Sequence, residues 1–290
     1  MTDLPTGAGG NFKTNLKIVA ALGSVAILGL GSIYVLNRRD EPAHCSGITL
    51  NGHINSDTFV AVKAFIEAKD CPVRSAAAKK IFVVETSGGG DGPAALAVGI
   101  LLHKHNWDVE VVDLCASSCA NFIFPAGKTK YLNDQSMLLF HGGPHQEGML
   151  ETVEKLEREM AVNGAPAQAM VLGKKDKEGV VEFNPKKTPA DEAVLEFLSV
   201  NDAPTYAERF RRLIKASDQF YQELGVNPLL PEYGQMGGYE ASYKSYKFGG
   251  FVYSLDSLRR LGIRNIELKD GEWHPERHPA YRDVYEVTYP

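Results

Sequence analysis

Apolar runs of strand length alternate with segments of helical periodicity along this chain, and no other feature limits its fold as strongly. The predicted strands are residues 48–54, 81–85, 109–114, 136–140 and 265–268. Between the first two strands, Phe59, Val62 and Ile66 recur at helical spacing, and residues 93–103 and 117–124 predict further helices. Repeated strand–helix units predict an α/β fold with a parallel sheet, in which functional residues gather at the strand ends.

The composition changes after residue 144. Apolar residues within 210–224 recur at helical spacing, and Gly225 is placed to end that helix. Residues 251–263 predict a final helix and turn. Residues 173–204 are rich in Lys, Asp, Glu and Pro, which predicts an exposed, charged insertion, and the polar and aromatic residues 269–290 form a C-terminal extension.

Residues 18–36 contain no charged side chain. As a helix this segment would rise about 28 Å, close to the ~30 Å thickness of the hydrocarbon core of a bilayer. We therefore expect a transmembrane helix that binds the lipid bilayer, preceded by a short tail at 1–17. The alternatives are a buried core helix and a cleaved signal peptide. The length of the run and the following Arg38-Arg39 disfavour the signal peptide.

Charge and cysteine content narrow the cellular setting. Two lysines before the span and two arginines after it give little orientation bias. The four cysteines, Cys45, Cys71, Cys115 and Cys119, are even in number, which suits an oxidising compartment and favours a single-pass protein whose soluble part lies outside the cytoplasm. Reduced thiols in the cytoplasm are the alternative. The net charge of −5 leaves no basic surplus, so we expect no nucleic-acid partner.

A glycine-rich loop follows the second predicted strand. Gly88, Gly89 and Gly90 come between Ser87 and Asp91, and consecutive glycines can leave backbone N–H groups open to a ligand. The loop lacks both the Lys-Ser/Thr of a P-loop and the spacing of a dinucleotide site. It is therefore either an oxyanion cradle or only a tight strand–helix turn.

A serine turn and a histidine follow the next strands. Ser117 and Ser118 lie among small residues where a strand meets a helix, and a helix N-terminus favours a developing oxyanion. The alternative is that one of these serines only caps the helix. His141 follows an apolar strand and precedes two glycines, so it is either a general base or a structural histidine.

In order and spacing, these elements resemble the caseinolytic (Clp) protease family of the Clp/crotonase superfamily. The closer likeness is to exported or membrane-anchored Clp-like proteins that carry a Cys-x-Ser-x-Cys turn. The resemblance implies that Ser118 is the nucleophile and His141 the base. It also implies that Gly89, Gly90 and the backbone N–H of Cys119 form the oxyanion hole.

The resemblance covers residues 47–143 and, weakly, 251–268. It implies a spiral of ββα units within a domain at 45–268, assembly as a homo-oligomer, and chemistry that needs no cofactor. Two features depart from the family pattern. Gly88 replaces a proline, and the acid of the triad does not align. Its candidates are Glu232, Glu240 and Asp218.

Two histidine pairs have the spacing of metal ligands. They are His141 with His145 and His274 with His278. Glycines and prolines next to each pair argue against the helix that such spacing needs, so we expect no metal site.

Three functions are compatible with the sequence. The first is a membrane-anchored, Clp-like serine hydrolase, a peptidase acting on polypeptides. The second is a non-catalytic module of the same fold that binds a peptide or a partner protein. The third is a crotonase-like acyl-thioester enzyme, which needs acid and base carboxylates, and no acidic residue lies beside Ser118 in the sequence.

Overall fold

The computed structural model describes residues 32–34, 47–67, 80–162, 203–245 and 247–290. Several predicted features lie outside these residues: the N-terminal tail, most of the transmembrane span, Cys45 and Cys71, and the charged insertion at 173–204. The described part is an α/β structure with a mostly parallel sheet, as the alternation of strands and helices predicts.

The main sheet contains seven strands of the described residues. The nine strands in these residues are β1 Ser32–Tyr34, β2 Gly47–Asn51, β3 Ile81–Ser87, β4 Asp108–Ala116, β5 Lys130–Leu132, β6 Met137–Leu139, β7 Gly250–Tyr253, β8 Ile266–Leu268 and β9 Val284–Val287. The order in the main sheet is β1-β2-β3-β4-β5-β8, and β6 pairs with the C-terminal part of β4. Only the pairing of β1 with β2 is antiparallel in this sheet. The carboxyl ends of β3, β4 and β6 therefore point to the same edge.

The described residues also form seven helices, apart from short 3-10 turns. They are α1 Ser56–Glu67, α2 Gly92–Lys104, α3, which begins as a π-helical turn at Cys119–Ile123 and continues at Phe124–Ala126, α4 Met149–Val162, α5 Tyr206–Leu224, α6 Glu240–Lys244 and α7 Leu255–Arg260. Asp91 caps α2 by accepting a hydrogen bond from the N–H of Ala94, and Pro93 occupies its first turn. Gly225 ends α5 with a φ of +65°, as its position predicts.

One face of each central strand is buried in the core. Phe82 and Val84 on β3, and Val109 and Val111 on β4, are fully buried, whereas Val112 on the other face of β4 is exposed. The apolar runs of these two strands predict their central place in the parallel sheet.

The prediction of one helix over 251–263 is wrong in its first part. Phe251 and Tyr253 lie in strand β7, and α7 begins only after Ser254, whose side chain accepts a hydrogen bond from the N–H of Ser257. Phe140 and Phe251 exchange backbone hydrogen bonds of 2.9 and 2.7 Å, which ties β7 to the end of β6. A short, fully buried apolar run fits strand and helix equally well by periodicity alone.

The C-terminal extension packs against the rest of the described structure. Its strand β9 pairs in parallel with β7 to form a second, two-stranded sheet. The indole N–H of Trp273 donates to the carbonyl oxygen of Ser136 at 2.7 Å. Residues 269–290 thus complete one side of the domain.

No helix among the described residues has both the length and the apolarity needed to cross a bilayer. Three residues of the predicted span, Ser32–Tyr34, form β1. The rest of 18–36 lies outside the described residues, so the anchor remains a prediction.

A glycine on α2 sets the distance between two helices, and this gives a test of the packing. An ideal Cβ at Gly99 would lie 2.5 Å from the carbonyl oxygen of Phe122 and 3.1 Å from the ring of Phe220. We expect Gly99→Ala to lower the free energy of unfolding by about 1–3 kcal/mol, because overpacking outweighs the better helix propensity of alanine. Urea unfolding measures this.

Gly238→Ala is the matched control, since nothing lies within 4 Å of a Cβ there. Equal stability of the Gly99→Ala and Gly238→Ala proteins would show that α2 and α3 are not packed this closely.

Candidate active site

The glycine loop after β3 touches the serine turn after β4. These strands are parallel neighbours, and Ser87 is in register with Cys115. A Cβ at Gly89 would lie 2.6 Å from the carbonyl oxygen of Ala116 and 2.9 Å from the backbone nitrogen of Ser118. Gly89 also has a φ of +85°. Only glycine fits both the conformation and the space, so this residue lets the two turns meet.

The hydroxyl of Ser118 rests on the glycine loop. Ser118 is buried, and its Oγ donates to the carbonyl oxygen of Gly90 at 3.3 Å. Ser117, just before it, has a φ of +57°, an uncommon conformation for a residue with a side chain. The chain therefore turns sharply between the end of β4 and the start of α3, and this turn directs the Ser118 side chain toward Gly90.

The three oxyanion donors predicted from the sequence differ in their hydrogen bonds. The N–H of Gly89 donates to the Oγ of Ser87 at 3.2 Å, so it is already engaged. Among the described residues, the N–H groups of Gly90 and Cys119 have no acceptor. Cys119 is fully buried, whereas Gly90 is half-buried.

A disulfide spans the serine turn. Cys115 at the end of β4 is bonded to Cys119 at the start of α3, with their Cα atoms 5.3 Å apart. Both cysteines are fully buried. The sequence leaves the four cysteines either oxidised or reduced, and the structure contains this pair as a disulfide. The bond fixes the two ends of the turn that carries Ser118.

His141 lies at the same sheet edge as Ser118. Ala116 on β4 is in register with Leu139 on β6, and the N–H of Ser117 donates to the carbonyl oxygen of Leu139 at 2.9 Å. The His141 imidazole is exposed and forms no hydrogen bond with any described residue. The structure thus brings Ser118 and His141 to one edge without joining their side chains.

None of the three predicted acids bonds to His141 in the described residues. Asp218 lies instead against His145, with 2.6 Å between Oδ1 and Nε2. Glu240 is exposed and pairs with Lys244 one turn along α6. The third candidate, Glu232, is almost completely buried and contacts the loop that carries both histidines.

Glu232 supports the loop after β6 from beneath. Its Oε1 accepts a hydrogen bond of 2.9 Å from the backbone N–H of His145. A Cβ at Gly143 would lie 2.6 Å from this same oxygen, so the carboxyl group fits only under a glycine. The Oε2 atom is buried and has no hydrogen-bond partner among the described residues. Burial raises the pKa of Glu232 to about 7, and the hydrogen bond from His145 opposes this rise.

Sequence reasoning missed a third imidazole near the site. A Cβ at Gly90 would lie 2.9 Å from Nε2 of His53, which follows β2. The neighbouring Ile54 bonds to the loop through its N–H and carbonyl groups, at 2.9 Å each to Gly89 and Asp91. The one available signal is that His53 lies at the end of a predicted strand. Parallel strands end at a common edge, so its side chain was a candidate for the site.

These contacts define what the site can do chemically. A buried hydroxyl, two backbone N–H groups without an acceptor among the described residues and an exposed imidazole lie at one sheet edge. Attack on a carbonyl and stabilisation of the oxyanion need groups of these kinds. Comparison with known proteins gives no match, either to a protein-family model or to a curated protein.

The buried carboxyl of Glu232 gives a pH-dependent prediction. Its pKa of about 7 in the folded protein exceeds the ordinary value of 4.5, so the neutral form stabilises the fold. This contribution is fully present below pH ~4.5 and is lost as the pH rises through about 7, by as much as about 3 kcal/mol. We expect Glu232→Gln to flatten the fall in unfolding free energy over this range.

Urea unfolding at several pH values between 4.5 and 8 measures this effect. Glu240→Gln is the control, because that exposed carboxyl should leave the profile unchanged. A Glu232→Gln profile that runs parallel to the wild-type profile would contradict the assignment.

Proposed function

We propose that this protein is a Clp-like serine hydrolase that cleaves polypeptides, with Ser118 as its nucleophile. The observation that carries the proposal is the contact between the glycine loop and the serine turn, where the Ser118 hydroxyl lies 3.3 Å from the carbonyl oxygen of Gly90. Nearby, the N–H groups of Gly90 and Cys119 have no acceptor among the described residues. A buried, strained turn that presents a hydroxyl beside open amides is typical of nucleophilic catalysis.

In the proposed reaction, Ser118 Oγ attacks the carbonyl carbon of a peptide bond. Its proton passes to His141, and the negative charge that develops on the carbonyl oxygen is held by the N–H groups of Gly90 and Cys119. His141 then gives the proton to the leaving amine, which departs as the C–N bond breaks. Water hydrolyses the acyl-enzyme in the same way, with His141 again acting as the base.

The exposed His141 ring supports its assignment as the base. It lies at the end of β6, next to the strand that leads to Ser118, and no bond among the described residues holds it elsewhere. Catalytic hydrogen bonds are often long or misaligned before substrate binds. Because no carboxylate of the described residues orients the ring, we expect a weaker base than that of a complete triad.

The proposal includes the finer fold and the cellular setting. In it the domain is a spiral of ββα units and assembles as a homo-oligomer. A helix at 18–36 anchors the domain outside the cytoplasm. The Cys115–Cys119 disulfide supports an oxidising compartment, since structural disulfides are rare in the cytosol.

One observation favours a second candidate function. The His141 ring has no carboxylate partner among the described residues, as expected if the fold serves only to bind a peptide or a partner protein. The thioester hypothesis gains no such support, because none of the hydrogen bonds of Ser118 in the described structure involves a carboxylate.

Covalent labelling tests the nucleophile. We expect a fluorophosphonate probe to label the wild-type protein once, at Ser118, and to leave Ser118→Ala unlabelled, because the proposed reaction makes this hydroxyl the nucleophile. Intact and peptide mass spectrometry locate the adduct. Ser117→Ala is the matched control from the same turn and should keep the label. An unlabelled wild type, or equal labelling of Ser118→Ala, would favour the non-catalytic module.

Three imidazoles can be compared for the role of the base. We expect His141→Ala to slow labelling by about 10²-fold or more, the usual contribution of a general base. His53→Ala and His145→Ala should each cost less than about tenfold, since His53 contacts only the loop and His145 is held by Asp218. Labelling rates from pH 5 to 9 measure this, and a larger loss in either control variant would move the role to that histidine.

A further inference from the structure

A cleft lies beside the second sheet. It has a volume of about 440 Å³, and it is lined by residues of β7, β9 and α7 and by residues 273–281 of the C-terminal extension. Gly250, at the start of β7, packs on the Cβ of His141, whereas Tyr253, at its end, lines the cleft. Three residues of strand correspond to about 10 Å. The cleft is therefore separate from the candidate active site.

Aromatic rings form part of the cleft wall. Trp273 and Tyr281 are half-buried and reach it from the extension. Tyr253 also borders the cleft, but its ring packs on Phe140 and Phe251 in the core. The Trp273 indole N–H is held by the carbonyl oxygen of Ser136, which fixes the orientation of the ring. The faces of such rings attract organic cations.

The charges that line the cleft are unbalanced. Arg259 is its single cation, and it pairs with Asp256 at 3.3 Å on an exposed rim. Glu276 and Glu286 also line the cleft, and neither has a Lys or Arg within ion-pair distance among the described residues. Glu276 pairs with His274, at 2.9 Å between Oε1 and Nδ1. Three carboxylates and one guanidinium thus line the described cleft, which gives its lining a net negative charge.

Glu276 and Glu286 both act electrostatically on Tyr281. Burial raises the pKa of its hydroxyl, and Glu286 and Glu276 raise it further. Their combined negative potential therefore acts at the aromatic wall of the cleft and not only at its rim.

From the aromatic wall and the net negative lining of the cleft, we propose that this cleft binds a lysine or arginine side chain of a polypeptide partner. The alkyl part of the side chain packs against Trp273 and Tyr281, and the cationic end lies between Glu276 and Glu286. This site shares no residue with the proposed hydrolase site, so binding should be unchanged in Ser118→Ala.

Tryptophan fluorescence gives a direct test, because the chain contains two tryptophans and Trp107 is buried in the core. In full-length Trp107→Phe protein, Trp273 is the reporter. A short Gly-Lys-Gly peptide, capped at both ends, should change its emission in a saturable way, and a Gly-norleucine-Gly peptide should not. Calorimetric titration of the wild-type protein provides the same comparison if Trp107→Phe does not fold.

Charge variants distinguish this site from general attraction to the acidic protein. Glu276→Gln with Glu286→Gln should weaken binding of the lysine peptide by about tenfold or more. Arg259→Gln should strengthen it severalfold by removing the one cation of the cleft. Glu267→Gln is the matched control, since Glu267 is exposed on β8 and does not line the cleft.

Three outcomes would overturn the proposal: equal binding of the lysine and norleucine peptides, no effect of the double Gln substitution, or binding to phosphatidylcholine vesicles in place of the peptide. If Ser118 is not labelled but the lysine peptide still binds, the hydrolase proposal fails and the cleft proposal stands. If Ser118 is labelled but the peptide does not bind, only the cleft proposal fails.

Discussion

The site depends on the close contact between a glycine loop and a serine turn that are far apart in the sequence. Gly89 has no room for a side chain, because the turn at Ala116–Ser118 occupies the position of its Cβ. The contact places Ser118 Oγ on the carbonyl oxygen of Gly90 and leaves two backbone N–H groups beside it. A larger residue in the loop would push the turn away, and the hydroxyl and the amides would no longer share one space.

Covalent and polar bonds hold the groups around that contact. The Cys115–Cys119 disulfide closes the turn from one side. From the other side, Asn121 on α3 donates to the carbonyl oxygen of Gly142 at 2.9 Å, which connects the serine helix to the loop that carries His141. Glu232 lies beneath this loop, and its pKa of about 7 means that the support changes its charge near neutral pH. The positions of the nucleophile and the histidine are therefore coupled through buried groups.

The α/β class with its mostly parallel sheet and the loop–turn contact were predictable from the sequence because they follow from local rules. Apolar runs that end in Gly or Ser clusters predict parallel strands, and parallel strands that end at one edge bring their loops together. The partner of each acid was not predictable. Asp218 reaches His145 from a helix 73 residues away, and no periodicity encodes that distance. β7 was mistaken for helix, because burial on all sides removes the alternation that identifies a strand.

The second sheet was not predictable from local sequence patterns either. The resemblance weakens beyond residue 143, and the C-terminal extension has no strong pattern of its own. Its strand β9 forms only by pairing with β7, and the cleft exists only because this pairing brings 273–286 beside α7. Features that arise from long-range pairing of short segments lie beyond local sequence signals.

A crystal structure with a peptide boronic acid tests the central claim most directly, because boron forms a tetrahedral adduct with a nucleophilic serine. The account predicts a bond from boron to Ser118 Oγ, with one boronate oxygen within about 3.1 Å of the backbone nitrogens of Gly90 and Cys119. A boronate bonded to another residue, or one bonded to Ser118 with its oxygens away from both amides, would contradict it.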